Sequence, residues 1–564
     1  MVRQIAVVVV GFAAATAILT YPQVVTLTTH VGPHYDALFS IWRLAWIAHR
    51  LPDQPLELFS ANIFYPEDLT LAYSDALLFQ GLIAAPFLWA GLSPVLVHNG
   101  LVLATFVASG AAMFWLVRDL TKSAAAGVTA GMIFAFQPYR FGHYTQLELL
   151  SGWWIPIAFC LFERAIVSGS VMQWSVLGLV VALQTWSSIY YGVFLVTALG
   201  ILTIVRLLRA GSVPTMATAK AAAIGALVTG VLVVPYLSPY LNTREIVGER
   251  SVAEITTWSP ALSTYVVTTR DNWLYGALFG DRAHPEGILF PGVMALVLAC
   301  AGAFPPINRL RIAYIVLLLL AFDLSLGFNG LTYPLLYETA LPYRGLRAPG
   351  RLFIVVSAAL SVLAGFGFAR IETNWRTRVH RLLPVGAVVT LIAAESATMP
   401  LALERVPTPD PIYRWLARQP PSVVLEWPFP KPSNLGFTFD PAYMYFSTVH
   451  WQQLINGYSG FHPPSYINLI NALTPFPNPA GIAALRKLGV DYIILHRDLA
   501  PDEWESVNEA LRASPSIRLV MTGGPKRDAV TVAVYQIVGL DADRSQTDPA
   551  GLGLHGGGGE PIGW

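Results

Sequence analysis

Between Gln4 and about Pro400 the chain carries a series of apolar runs, most joined by short connections and many near the ~20 residues that cross a bilayer core. Backbone N–H and C=O groups find no water in lipid and must bond to one another, so runs of this length fold as helices. Candidate spans lie near 4–26, 95–117, 123–141, 150–166, 172–190, 193–208, 219–237, 287–304, 311–326, 352–370 and 382–400. Composition agrees: 54% of the residues are hydrophobic and 12% charged, with a mean hydropathy of +0.54. That is about half the charge of a soluble protein. A net charge of +1 and the lack of a basic tract argue against nucleic acid as a partner. Cys160 and Cys300 both fall in predicted spans, so neither a disulfide framework nor a thiolate metal site is implied. The first apolar run is long for a signal-peptide core and reads as an uncleaved helix.

Basic residues set the expected orientation. Arg118/Lys122, Arg164, Arg206/Arg209/Lys220, Arg309/Arg311 and Arg370/Arg376/Arg378/Arg381 share one side with Arg3 if the segment Ala76–Ala90, which contains Pro86, does not cross. Short basic loops mark the cytoplasm, so Ala76–Ala90 reads as an interfacial or half-inserted helix. The expected fold is a polytopic α-helical membrane protein of about eleven transmembrane helices with a cytoplasmic N-terminus. Segments 27–94, 238–286, 327–351 and 401–564 then lie on the outer face. Beyond Pro400 the composition changes. Val423–Trp427, Val490–Leu495 and Val530–Val538 read as strands, and Ile482–Leu488 and Glu503–Arg512 as helices. The predicted organisation is a transmembrane domain over 1–400, an extracytoplasmic α/β domain over 401–540 and a disordered tail over 541–564. The spans show no internal repeat, which counts against a transporter built from inverted halves.

The segment Val31–Asp75 carries too many charges for lipid yet is rich in aromatic residues. Leu38, Ile41, Trp42, Ala45, Trp46 and His49 recur at spacings of three and four, one face of a helix with a Trp-rich stripe suited to the membrane interface. Asp36 stands at its start. A carboxylate there takes a proton from an attacking hydroxyl as a general base, or caps the helix that begins at Ala37; spacing does not separate the two. His34 is a candidate second ligand or proton shuttle, and Glu148 and Asp75 are the alternative acids. Arg344, Arg347 and Arg351 cluster where a span begins. Their guanidinium forks suit a lipid phosphate, against ordinary snorkelling at a span end. His143 and Glu148, on the turn between the third and fourth spans, either orient an acceptor sugar, bind a divalent ion with Asp36, or form a solvated turn. Glu286 either bonds sugar hydroxyls or favours a helix N-terminus. Tyr443, Tyr445, Trp451 and Tyr458 suit sugar stacking and strand packing equally. No Walker-type phosphate loop, HExxH motif or Rossmann fingerprint is present, which argues against a nucleotide-driven enzyme.

The order of parts carries a resemblance. One helix is followed by an outer loop with an early acid, then Ala76–Ala90, Gly91-Leu92-Ser93, and a span ending Trp115-Leu116-Val117-Arg118-Asp119-Leu120. More spans and an outer α/β region follow. In this the chain resembles the GT-C superfamily, membrane glycosyltransferases that use polyprenyl-phosphate sugars. Through Asn62-Ile63-Phe64-Tyr65-Pro66, Leu346-Arg347-Ala348-Pro349-Gly350-Arg351 and Asn456-Gly457-Tyr458-Ser459-Gly460 it is also similar to uncharacterised bacterial proteins described as YfhO-like. The resemblance covers roughly residues 1–540. Many members carry a paired acidic motif in the first loop, where Asp36 here has Tyr35 and Ala37 as neighbours.

The resemblance implies an inverting glycosyltransferase of the bacterial plasma membrane. It would move a sugar from a polyprenyl-phosphate-linked donor to an extracytoplasmic acceptor such as a glycan, lipid-linked polymer or protein. Asp36, with His34 beside it, would act as the base, alone or with a divalent metal ion (Mg or Mn). Arg344, Arg347 and Arg351 would hold the donor phosphate, and His143, Glu148 and Glu286 would meet substrate. The rival readings are a lipid-linked glycan transporter or flippase and a non-catalytic membrane assembly or binding protein.

Overall fold

The computed structural model describes residues 2–33, 35–210, 215–281, 285–375, 382–433, 439–524 and 530–539. His34, the basic residues Arg376, Arg378 and Arg381, and the tail 541–564 lie outside the described residues. The apolar runs are helices: α1 (Val2–Leu19), α2 (Tyr35–Arg50), α3 (Leu78–Trp89), α4 (Pro94–Thr121), α5 (Ala124–Phe136), α6 (Trp154–Ser168), α7 (Val171–Ser187), α8 (Ile189–Ala210), α9 (Met216–Val247), α10 (Val293–Ala303), α11 (Arg309–Ser325), α12 (Phe353–Trp375) and α13 (Leu382–Ser396). Five stretches, Pro94–Thr121, Leu147–Ser168, Ile189–Leu208, Met216–Val247 and Pro349–Thr373, are long and apolar enough to cross a membrane, and shorter apolar helices accompany them. The chain is a multi-pass membrane protein. At 1.5 Å per residue, the 12 residues of α3 reach about 18 Å, short of a ~30 Å hydrocarbon core. By the same measure the 32 residues of α9 reach about 48 Å. One end of α9 must therefore stand clear of the core.

Helices in lipid gain little from the hydrophobic effect and associate through close packing of small residues. Helices α10 with α12 and α7 with α9 do this here. A Cβ on Gly302 of α10 would lie 2.0 Å from the Leu363 carbonyl oxygen of α12, and one on Gly367 of α12 would lie 1.9 Å from that of Leu298 on α10. Gly178 of α7 and Gly225 of α9 meet in the same way, with 2.2 Å from a Cβ on Gly178 to the Gly225 oxygen.

The C-terminal region forms a mixed five-stranded sheet from β1 (Val423–Trp427), β2 (Gln453–Leu454), β3 (Tyr492–His496), β4 (Ile517–Gly523) and β5 (Val532–Ile537), in the order β2-β1-β3-β5-β4. β1 runs parallel to β2 and β3, and β5 antiparallel to β3 and β4. β1 and β3 are buried on both faces, which is why they read as largely apolar runs without alternation. The one acid in β1, Glu426, is fully buried and is bonded 2.6 Å from His496 Nε2 of β3.

This sheet does not stand apart from the first loop. Tyr65 N donates to Leu454 O (2.9 Å), Leu454 N to Asn62 O (2.9 Å) and Phe64 N to Asn456 O (3.2 Å), so residues 62–65 run along β2. One apolar core continues from α2 and residues 58–76 into the sheet. The Trp stripe of α2 is thereby taken out of the membrane interface where the sequence placed it. Trp42 and Trp46 are buried, their indole N–H groups donate to Asn62 Oδ1 (3.3 Å) and Leu58 O (2.8 Å), and Trp46 packs on Trp451.

The helix crossings give a direct test. Gly367→Val forces apart α10 and α12 and should destabilise the purified protein by about 1–3 kcal/mol, the usual cost of overpacking. Gly386→Ala, where an added Cβ meets nothing within 4 Å, should melt like the wild type. Equal melting of both variants in detergent would refute the close approach.

Candidate active site

Asp36, Asp75, Glu148, Arg344, Arg347, Arg351 and Tyr458, all singled out from the sequence, line one cavity of about 710 Å³. Its walls are the start of α2, residues 72–75, the turn carrying Gln146 and Glu148, α7–α9, the loop 340–351 and the segment 458–462. One wall is acidic. Asp36 lies in the first turn of α2, where a helix N-terminus favours a negative charge. Its carboxylate is not simply a cap: Oδ2 accepts from Gln146 Nε2 (3.0 Å) and Oδ1 from the Tyr458 hydroxyl (2.8 Å).

Asp75 accepts from Ile189 N (2.8 Å) and Ser188 Oγ (3.2 Å) at the start of α8. Burial, and then the nearby Glu148, push its carboxyl up to about 6 against the pull of the Ile189 N–H and Arg43. Glu148 pairs with Arg43 at 3.0 Å. Arg43 also donates to Ser40 Oγ (3.0 Å) and to the Asp75 carbonyl, and its guanidinium lies 4.1 Å over the Phe39 ring.

The facing wall is basic. Arg344 lines the cavity with its guanidinium tied to the carbonyls of Tyr337 (3.2 Å) and Glu338 (3.0 Å). Arg347 is fixed through its backbone N–H, which donates to the Tyr190 hydroxyl (2.7 Å). Its guanidinium lies 4.5 Å over Trp258 and forms no ion pair among the described residues. Arg351 is committed elsewhere: Nε donates to Glu286 Oε1 at 2.7 Å, and Nη2 reaches the same oxygen. The other oxygen of Glu286 is 3.4 Å from His143 Nε2. Burial raises the Glu286 carboxyl, but Arg351 and His143 outweigh it and hold the group well below the usual range.

Two expectations therefore need correction. His143 and Glu286 do not line the cavity; Glu286 sits behind Arg351 and neutralises it, with His143 on its other oxygen, because a buried guanidinium requires a carboxylate partner.

Arg250 is the residue that the sequence reading missed. It lines the cavity, pairs with Glu254 (2.8 Å), donates to Gly460 O and lies 3.4 Å over the Phe461 ring. Burial, with Arg347 nearby, pushes it down to about 10, still a cation at neutral pH. The only local signal was an arginine in a long outer segment, which is no signal at all. Of the four expected stacking aromatics, only Tyr458 reaches the cavity. Tyr443 is buried against His496, and Trp451 stacks on His49 at 4.3 Å.

A third part of the lining is apolar. Val181, Val193, Val196, Val233, Leu237 and Leu241 form a flank along α7, α8 and α9, and Val196 and Leu241 are exposed on the outer surface of the bundle. The cavity therefore joins a charged end to an apolar helix surface. Among the described residues no group of three or more His, Cys, Asp or Glu side chains could hold a metal ion.

Solved structures share this architecture. The arabinofuranosyltransferase AftD from mycobacteria superposes with a TM-score of 0.63 at 15% identity, over 95% of this chain and 40% of that one. The present chain thus spans well under half of AftD. The archaeal oligosaccharyltransferase AglB from Archaeoglobus fulgidus, determined with an inhibitory peptide and a dolichol-phosphate, superposes with a TM-score of 0.53 at 12% identity, over 89% of this chain and 70% of that one. Both belong to the GT-C superfamily of membrane glycosyltransferases, and at these identities the likeness is one of fold. No protein-family model and no curated protein sequence matches the chain.

Asp75 supplies a pH test. Its carboxyl holds a proton up to about pH 6 when folded but only to its ordinary 3.8 when unfolded. Between those values the folded state binds more protons, so this group's contribution to stability is greatest at low pH and falls as pH rises through the window. Asp75→Asn keeps an oxygen to accept from Ile189 N and turns an amide N–H toward Ser188 Oγ, which can accept it, but it cannot ionise. The wild-type melting temperature minus that of the variant should fall between about pH 4 and 7; a constant difference would show that the carboxyl is not perturbed.

Proposed function

We propose that this protein is an inverting glycosyltransferase of a bacterial plasma membrane that moves a sugar from a polyprenyl-phosphate donor to an extracytoplasmic acceptor: a glycan, a lipid-linked polymer or a protein. The observation that carries the reading is the cavity's three-part lining: a carboxylate wall holding Asp36, a guanidinium wall holding Arg347, and an apolar flank open to the bundle surface. A lipid-phosphate sugar has matching parts. The polyprenyl chain lies along the α8–α9 flank, the phosphate meets the arginines, and the sugar occupies the space between the walls. The likeness to AglB, determined with a dolichol-phosphate, supports a donor of this class.

In the proposed reaction the acceptor oxygen attacks the anomeric carbon from the face opposite the phosphate. The bond to the phosphate oxygen breaks with its electrons going to the phosphate, and the acceptor's proton passes to Asp36. Guanidinium groups fixed in advance stabilise the charge that develops on the leaving phosphate. Arg347 is the leading contact, since its charge is not spent on a carboxylate among the described residues. Arg344 and Arg250 flank it, and Arg351, held by Glu286, fixes the inner edge. Residues 1–400 form the transmembrane part in this reading and 401–540 the outer α/β region, with the N-terminus in the cytoplasm.

Transfer assays with a panel of polyprenyl-phosphate sugars test the assignment. Asp36→Asn should fold normally and lose transfer at least ~100-fold, the lower range for a general base. Arg347→Ala should weaken donor binding by about 1–3 kcal/mol, and Arg347→Lys should restore only part, because a point charge cannot reproduce the fork. Full transfer by purified Asp36→Asn would reject Asp36 as the base. Unchanged donor affinity in both Arg347 variants would reject the phosphate contact. The orientation is checked separately: reporters fused at Pro407 and Arg376 should report opposite sides, and agreement between them would overturn it.

A further inference from the structure

We propose that Tyr458, contributed by the C-terminal region, is a positioning residue for Asp36, aiming the carboxylate into the cavity and holding it ionised. This rests on the reading of Asp36 as the base. The two residues are 422 positions apart in the chain and meet through a 2.8 Å hydrogen bond.

The segment carrying Tyr458 is anchored at both ends. Asn456 is fully buried: its Oδ1 accepts from Glu426 N (2.7 Å), and its Nδ2 donates to Glu426 O (3.0 Å) and Asp440 Oδ1 (2.9 Å). Gly457 lies against Phe64 so closely that a Cβ would come 2.7 Å from the ring. After Tyr458, the Gly460 carbonyl accepts from Arg250, and Phe461 lies beneath the same guanidinium. Between these anchors the Tyr458 ring packs edge-on against Phe39, with centroids 5.4 Å apart. Phe39 is one helical turn beyond Asp36 on α2. The ring contact and the hydroxyl contact thus fall on one face of one helix and fix both the direction and the reach of the phenol.

The chemistry suits positioning rather than proton transfer. Burial, and then the Asp36 charge, hold the Tyr458 phenol well above its ordinary range, so it remains a donor at any working pH. A carboxylate oxygen has two acceptor positions, and the phenol takes one on Oδ1 while Gln146 takes one on Oδ2. Asp36 itself lines the cavity. A donor to the ionised form favours that form, so loss of the phenol O–H raises the pH at which Asp36 becomes a competent base. Among the described residues, the charged and titratable groups around the pair are Arg43 on α2, Glu148 beyond Gln146, Arg347 on the facing loop, and Tyr35. Each is unchanged in a Tyr458 variant and common to both profiles.

Tyr458→Phe in the full-length protein separates this from simple packing, because it keeps the ring against Phe39 and removes only the O–H. The expected result is a fall in kcat of about tenfold with donor KM and melting temperature unchanged, and an acid limb of kcat/KM moved up by about one pH unit. In the Asp36→Asn background Tyr458→Phe should cost nothing further. Gln146→Met, which removes the other donor, should move the acid limb in the same direction and serves as the second variant if Tyr458→Phe folds poorly. An unmoved limb in the folded variant, with Asp36→Asn inactive, overturns the positioning role and leaves the base reading intact. A full additional loss in the double variant overturns it also. An active Asp36→Asn overturns the base reading, and the positioning of that base with it.

Discussion

Arg43 is the side chain around which the acidic wall assembles. It is almost fully buried, and a guanidinium out of water costs several kcal/mol unless it is paired and its N–H groups are bonded. Glu148 supplies the charge, Ser40 and the Asp75 carbonyl supply acceptors, and Phe39 supplies a ring face. Those partners come from three segments, so satisfying one cation draws the 146–148 turn and the loop before α3 against α2. Asp36 stands two turns before Arg43 on the same helix. The carboxylates at 36, 75 and 148 line one cavity because one arginine needed company.

The facing wall obeys the same rule with a different outcome. Arg351 satisfies its charge on Glu286, with His143 behind, and becomes a rigid edge of the cavity. Arg347 is held by its backbone and by an aromatic face, and its charge has no carboxylate partner among the described residues. The difference between a structural cation and one available to a ligand is therefore a matter of partners, not of residue type. Three arginines within eight residues are not equivalent once the fold has distributed the acids.

The helical part follows from the solvent. Where lipid surrounds the chain, helices meet through glycine, as at Gly302 with Gly367 and Gly178 with Gly225. α12 is enclosed by its neighbours, with 89% of its apolar window buried, whereas only 17% of that of α9 is. An outward-facing α9 beside α8 leaves the cavity an apolar flank, and the continuation of α9 past the length of a bilayer core carries Tyr240, Thr243 and Arg244 to the charged end.

Local pattern was enough to identify the helices, the β1, β3 and β5 strands of the C-terminal sheet to within a few residues, the short α3, and Asp36 as an acid poised at the start of an amphipathic helix. These depend on periodicity, length and backbone satisfaction, all of which are properties of neighbouring residues. The same local reading sent Trp42 and Trp46 to the membrane interface and His143 and Glu286 to the substrate, and it had no means of seeing Arg250. An amphipathic stripe records that a face is covered, not by what; here the cover is Trp451 and the sheet, some 400 positions away. A charged residue records a possible partner, not which one: Glu286 went to Arg351, Glu148 to Arg43, and Tyr458 to Asp36. Pairing across such separations is decided by which buried charges the packed chain must neutralise, and that is set only when the tertiary structure removes them from water.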